Sequence, residues 1–351
     1  MKICLSIRDL NFGGAPKMFL WLSENLARRG HDVIIISFTP ISANIKLFKG
    51  YKKVVQLNLS RMAIPFNIMK LHTILKECNP DISISFALEA NVYNTFACMG
   101  LKTKSIICER NDPFLSKNFA LKLWKPCFRW ADGAVWQLEK VGCFYDNVKV
   151  KTAVIPNPVV LEDVECDAIK NRIDAFVTHS RLDLFQKRQD VLINAFSLFH
   201  RIYPNYKLFI YGTGPDEEKI RNMIQDKNLM DFVILKGKTT HPLQDISQCK
   251  FYVFTSDFEG IPNSLIEAMS VGLPCIATDC SPGGASFLIQ NGINGLLVPR
   301  GNTEILCDKM RFLVENIDKA EFMGDKAKLI RNELKPEKII DMWETYIASV
   351  I

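Results

Sequence analysis

Several features are missing from this 351-residue sequence, and each absence narrows what the chain can be. No apolar run approaches the roughly 18 residues needed to span a bilayer, so no transmembrane helix is expected. The opening stretch MKICLSIRDLNFGG alternates like a strand and has neither the apolar region nor the small-residue cleavage site of a secretion signal. That predicts a chain that stays in the cytosol. Eleven cysteines are an odd number, scattered without a Cys-x-x-Cys pair. They read as small buried hydrophobes in a reducing compartment, not as a disulfide frame or zinc site. Asp-x-Asp does not occur, so one compact carboxylate cradle for an oxygen-seeking divalent ion is missing. The turn after the first predicted strand reads Asn-Phe-Gly-Gly-Ala-Pro and not Gly-x-Gly-x-x-Gly, which argues against a dinucleotide oxidoreductase. Tandem repeats and low-complexity stretches are absent as well.

What remains is the composition of a soluble globular protein, 48% hydrophobic and 23% charged. At about 100–200 residues per domain, the length suggests two domains. Charge is divided unevenly: residues 1–157 hold 22 Lys plus Arg against 11 Asp plus Glu, and residues 158–351 hold 22 against 27. The basic half is expected to face something anionic.

Strands are predicted at Lys2–Arg8, Val33–Phe38, Asp81–Phe86, Lys104–Cys108, Gly133–Trp136 and Lys151–Ile155. Between them fall a helix over Pro16–Arg29, with Gly30 just past its end, and helical stretches near 90–99 and 116–131. Pro156-Asn157-Pro158 breaks this pattern, and Glu162, Asp163, Glu165 and Asp167 read as a solvated connection. Strands follow at Ala175–His179, Lys207–Tyr211, Phe232–Leu235, Phe251–Thr255 and Pro274–Thr278, with helices over Lys187–Arg201, Asp216–Asn228 and Pro262–Ser270. Helical periodicity dominates from Thr303 onward. The predicted class is α/β, two doubly wound parallel-sheet domains facing across a cleft. Their expected limits are 1–157 and 158–334, with a C-terminal helix over 335–351 placed to pack back on the first domain.

Chemistry concentrates in residues 255–289. A strand ends at Thr255 and Pro262 suits a first helical turn, so the amides of Asn263, Ser264 and Leu265 are expected to lack intrahelical partners at the positive end of the helix dipole, as at a phosphate site. Glu267 lies a turn further in, where its carboxylate can point back toward that end and accept bonds from ribose hydroxyls. Glu259 sits in the loop at the mouth. After the next strand, Gly283 and Gly284 allow a close main-chain approach. His31 and His72 read as structural, whereas His179 and His241 fall nearer the cleft and receive no role.

EGIPNSLIE (259–267) resembles the Glu-x7-Glu motif of family 4 glycosyltransferases, the retaining group with the GT-B fold. SRLDLFQKRQDVLI (180–193) resembles their Arg-Leu and Lys segment, IYGTGP (210–215) their glycine pair, and LNFGGAPKMFLWLSENLARRGHDV (10–33) their N-terminal glycine loop and helix. VIPNPV (154–159) is similar to their hinge and NGINGLLVP (291–299) to the strand after the donor site. The resemblance covers nearly the whole chain.

It implies an enzyme that moves a hexose or N-acetylhexosamine from a nucleotide sugar, UDP-linked, to a hydroxyl of a growing glycan with anomeric retention. Arg181 and Lys187 would hold the donor diphosphate as it gains charge in the transition state. Glu267 would bind the ribose, and Glu259 would contact the transferred sugar. Gly13 and Gly14 would approach the phosphates and acceptor, Gly212 belongs to the glycine pair, and Lys238 and Thr239 fall where the base is wrapped by main chain. Ser180 stands where the family usually has Gly. The N-domain histidine is replaced by the segment CERNDP (108–113), with Glu109 and Arg110, as in a bacterial subgroup acting on lipid-linked or lipopolysaccharide glycans. No metal and no further cofactor are expected.

Residues 116–133 mix Lys117, Lys122, Lys125 and Arg129 with Phe119, Leu123, Trp124, Phe128 and Trp130, and Lys46, Lys49, Lys52 and Lys53 form a second basic cluster. Both suit peripheral contact with an anionic membrane on its cytosolic face, although packing on the domain core explains the aromatics equally well. The resemblance to that bacterial subgroup implies a glycan acceptor that is lipid-linked. Nucleic acid is not expected, because no recognition motif accompanies the basic half. A nucleotide-sugar epimerase or hydrolase of the same fold is the alternative.

Overall fold

The computed structural model describes all residues except 12, 44, 60–62, 116–122, 147, 161–163 and 165. It forms two compact units, Met1–Asn157 together with Pro336–Ile351, and Pro158–Lys335. Among the described residues no helix is long and apolar enough to cross a membrane.

Unit 1 is built on seven strands: β1 (Lys2–Ile7), β2 (Asp32–Ser37), β3 (Lys53–Gln56), β4 (Ile82–Phe86), β5 (Lys104–Cys108), β6 (Gly133–Trp136) and β7 (Lys151–Val154). They lie in the order β3-β2-β1-β4-β5-β6-β7, and all pairs are parallel. Central strands such as Val33–Ile36 are buried on both faces, as a parallel sheet covered by helices requires. The chain moves outward from β1 to β2 and later resumes on the other side at β4, which puts the switch point between β1 and β4.

The first helix spans Gly14–Arg28, two residues ahead of the expected Pro16, with Gly13 at φ 125°. β3 escapes the sequence reading because it is a short edge strand with little burial and so carries little apolar signal, whereas the helical pattern around His72 belongs to the helix Ile64–Cys78. The helix expected over 116–131 needs correction. Residues 116–122, including Lys117, Phe119 and Lys122, lie outside the described residues, and Lys125–Trp130 is a 3-10 helix containing Pro126. A buried ladder ties β4 to the helix Leu88–Ala97: Ser85 donates to Asn91 (2.8 Å), and the Asn91 amide donates to the Cys108 carbonyl (3.0 Å).

The helix Pro336–Val350 completes this unit. Trp343 lies near-parallel to Phe86 with centroids 6.4 Å apart. The Tyr346 hydroxyl donates to the carbonyls of Lys151 (2.7 Å) and Ala134 (3.1 Å). A Cβ at position 133 would lie 2.4 Å from that hydroxyl, which explains Gly133 at the start of a strand. Arg29 pairs with Asp341 and Glu344, and His31 Nε2 meets Glu344 at 2.9 Å, so His31 is structural.

Unit 2 repeats the plan with six parallel strands, β8 (Ile173–His179), β9 (Lys207–Tyr211), β10 (Val233–Gly237), β11 (Cys249–Phe254), β12 (Cys275–Thr278) and β13 (Leu296–Val298). Their order is β10-β9-β8-β11-β12-β13, so the switch point falls between β8 and β11. Phe176, Phe196, Phe199 and Phe251 fill the core beneath it.

Candidate active site

Four loops meet at the carboxyl ends of the unit 2 strands. The loop after β8 and the loop after β11 are stitched together: Asp257 N–H donates to Gln186 O (2.9 Å), Gln186 Nε2 to Phe258 O (3.0 Å) and Thr255 Oγ1 to Lys187 O (2.8 Å). A Cβ at Gly212, after β9, would lie 1.9 Å from the Ser180 carbonyl oxygen, and one at Gly214 would lie 2.1 Å from that of Leu182. The glycine pair therefore admits the neighbouring main chain and fixes the stretch that carries Arg181. The loop after β12 adds a bond from Glu259 N–H to Ser281 O (2.8 Å). A Cβ at Gly284 would lie 1.8 Å from Gly260 O.

This scaffold brings the expected side chains to one sheet end. Lys187 Nζ forms an ion pair with Glu259 Oε1, which also accepts from Ser256 Oγ (3.2 Å). Both partners are largely buried, so the pair is shielded from bulk screening. Arg181 is exposed and joins no ion pair among the described residues. Its main chain is anchored by the buried Gln189, whose Nε2 donates to the Arg181 carbonyl (2.8 Å) and to Ser180 Oγ (3.1 Å). Ser180, where the family usually has Gly, thus serves an internal bond. Glu267 projects from the helix Asn263–Ser270 and meets His179 Nε2 at 2.7 Å.

One expectation at the helix start changes. Leu265 N–H is not available to a ligand, because the first turn is tight and this amide donates to Pro262 O at 3.2 Å. Asn263 and Ser264 stand at the helix start as expected. After β10, Lys238 is exposed, but the Thr239 side chain bonds Asp245 and accepts from His241 N–H (2.9 Å) ahead of the helix Pro242–Ser247. That hydroxyl organises its own loop.

Sequence reasoning missed three residues beside the Lys187–Glu259 pair. Arg188 adopts a left-handed conformation (φ 51°) and binds both oxygens of Asp190 (3.0 Å each) and Asp257 Oδ2 (2.7 Å). Its pKa is raised, first by the Asp190 hydrogen bonds and then by those to Asp257, against a cost of burial. Arg188, Asp257 and Arg300 line a cavity of about 680 Å³ that contains none of Arg181, Lys187, Glu259 or Glu267. No group of three or more His, Cys, Asp or Glu among the described residues could hold a metal ion.

In unit 1, Gly13 and Gly14 lie in the loop after β1. At the switch point Arg8 pairs with Glu89. Glu109 is turned inward: Oε1 accepts from the amides of Arg110 (2.9 Å) and Asn111 (3.2 Å), and Oε2 accepts from the Tyr145 hydroxyl (3.0 Å). Burial pushes its pKa up despite these bonds. Arg110 lies over Phe86 (4.4 Å) and Trp343 (5.6 Å) and donates to Asn157 Oδ1 (3.2 Å), and burial lowers its pKa. Both side chains expected near a ligand are therefore engaged in holding the unit together. Phe128 is buried and Trp124 packs on Phe96, so these aromatics belong to the core, whereas Leu123 and Trp130 are exposed.

Two doubly wound parallel sheets, each with its own switch point, define the GT-B fold class. Residues 168–330, which lie within unit 2, match the family of glycosyl transferases group 1. It is 26% identical to an uncharacterized glycosyltransferase of Haemophilus influenzae over 95% of each chain. A Campylobacter jejuni enzyme described as GalNAc-alpha-(1->4)-GalNAc-alpha-(1->3)-diNAcBac-PP-undecaprenol alpha-1,4-N-acetyl-D-galactosaminyltransferase is 25% identical, covering 100% of this chain and 99% of the relative. Anabaena Alr3699/HepE, solved with UDP and glucose, superposes with a TM-score of 0.84 at 17% identity over 99% of this chain and 100% of that one.

Proposed function

We propose that the chain transfers a hexosyl or N-acetylhexosaminyl group from a UDP-sugar to a hydroxyl of a growing, lipid-linked bacterial surface glycan, with retention and without a divalent ion. The observation that carries this reading is the convergence of Arg181, Lys187, Glu259 and Glu267 at one switch point within the group 1 segment. UDP on a relative of the same fold and the lipid-linked acceptor in the name of the Campylobacter relative support the donor and acceptor classes.

Arg181 and Lys187 neutralise the diphosphate, joined by the start of the helix Asn263–Ser270. Lys187 exchanges part of its bond to Glu259 for phosphate, and Glu259 then turns to the sugar. Glu267 accepts bonds from the ribose hydroxyls, and the main chain at Lys238 and Thr239 borders the base. The bond from the anomeric carbon to the leaving phosphate oxygen breaks as the acceptor oxygen adds on the same face, and the acceptor proton passes to the departing phosphate. Unit 1 takes the acceptor, with Gly13 and Gly14 at its approach. The exposed Lys46, Lys49, Lys52, Lys53, Leu123, Arg129 and Trp130 form its contact with the cytosolic face of an anionic membrane.

A thermal-shift panel of UDP-, GDP- and ADP-sugars tests the donor assignment, because a ligand that binds only the folded state raises apparent stability. UDP species are expected to give the largest shift, lost in Arg181→Ala and Glu267→Ala and insensitive to EDTA. A shift retained in both variants would remove the assigned pocket. Rapid donor turnover without acceptor would indicate an epimerase or hydrolase instead.

A further inference from the structure

The two acidic side chains of the site are held by different partners. Glu259 is held by a cation, whereas Glu267 is held by a histidine 88 positions earlier in the chain. We propose that His179 is a positioning residue that fixes the Glu267 carboxylate for the donor nucleotide, an inference that rests on the reading of Glu267 as the ribose ligand.

His179 is the last residue of β8, on the rigid side of the switch point, while Glu267 lies in the second turn of a helix. Nε2 and Oε2 are 2.7 Å apart, and each side chain is only 12% exposed. The ring is steadied by Tyr252 of β11, which meets it edge to face with centroids 5.5 Å apart. Nδ1 is buried with no hydrogen-bond partner. Nε2 is the ring nitrogen that faces the Glu267 carboxylate, so it is the one that donates to Glu267.

A glutamate on a helix surface samples several rotamers, and ordering it on ligand binding opposes affinity. The bond to His179 does that ordering in advance. His179 itself touches no reacting atom in this scheme. Its influence should appear in nucleotide binding and hardly at all in the chemical step.

Calorimetric titration of the full-length chain with UDP, together with transfer kinetics, tests this. His179→Ala should weaken UDP binding and raise the donor KM by about tenfold, as expected for loss of a charge-assisted hydrogen bond. The kcat should stay within about twofold, because the bond is equally present in ground and transition states. His179→Gln, whose amide can donate to the same carboxylate, should recover most of the affinity. In the double variant, His179→Ala should add little to Glu267→Gln. Unchanged UDP affinity in His179→Ala beside a loss in Glu267→Gln would overturn the role of His179 and leave the ribose assignment standing. Failure of Gln to rescue, with a lowered Tm, would make the histidine merely structural. Unchanged affinity in Glu267→Gln would sink the ribose assignment and this inference with it.

Discussion

Both units are parallel sheets with a strand-order reversal near the middle, yet they use that reversal differently. At the β1/β4 switch point of unit 1, Arg8 and Glu89 pair with each other, and the nearby Arg110 and Glu109 are absorbed into packing with Phe86, Trp343 and Tyr145. At the β8/β11 switch point of unit 2, Arg181 is exposed, and the Lys187–Glu259 and His179–Glu267 contacts present charge at the strand ends. The same topology thus offers two switch points that differ in their side chains, and the proposed function assigns the diphosphate to the second.

The largest expected effect tests that distinction. Lys187→Ala or Arg181→Ala should each lower kcat/KM by about 10²–10³, the usual loss when a preorganised charge stabiliser is removed. Arg8→Ala should cost less than about tenfold, because Arg8 lies in unit 1, outside the proposed donor site, and a partly exposed pair with Glu89 contributes little. Equal losses in steady-state assays would erase the contrast between the switch points.

Glycine gives a second comparison. Gly212→Ala must displace main chain, since its Cβ would sit 1.9 Å from the Ser180 oxygen, so a loss of about 3 kcal/mol is expected in urea unfolding. Gly13→Ala meets nothing nearer than Pro16 Cδ at 3.6 Å and suffers only its positive φ, about 1–2 kcal/mol. Arg110→Leu should cost about 1–2 kcal/mol through the lost Asn157 bond and aromatic contacts, with transfer reduced less than the stability suggests.

The smallest effect is one of pH. Burial alone would raise the Glu344 pKa, but the hydrogen bonds from His31 and Arg29 outweigh it and hold the carboxyl below its ordinary value. A carboxyl depressed in the folded state contributes stability above its unfolded pKa and loses it as pH falls through the folded value. Amide exchange in the helix Pro336–Val350 should therefore quicken below about pH 4, and Glu344→Gln should flatten that dependence.

Much of this was legible in the sequence because the strands are buried on both faces and read as continuous apolar runs such as Val33–Ile36. The Glu-x7-Glu segment was legible because Pro262 and the glycines punctuate it. The short edge strand β3 carried too little burial to register. The roles of His179 and Gln189 depend on contacts across long stretches of chain, and nothing local in either neighbourhood announces them. The packing of Glu109 and Arg110 was hidden for the same reason. Polar residues after a strand suggest a ligand, but here Tyr145, Asn157 and Trp343 claim them.

Hydrogen exchange with and without saturating UDP tests the central claim most directly, because it reports which strand ends a nucleotide covers. The account predicts the strongest protection in Thr178–Lys187 and Thr255–Glu267, reduced to background in Lys187→Ala. Unchanged exchange in both segments, with UDP shown to bind, would place the nucleotide elsewhere and contradict it.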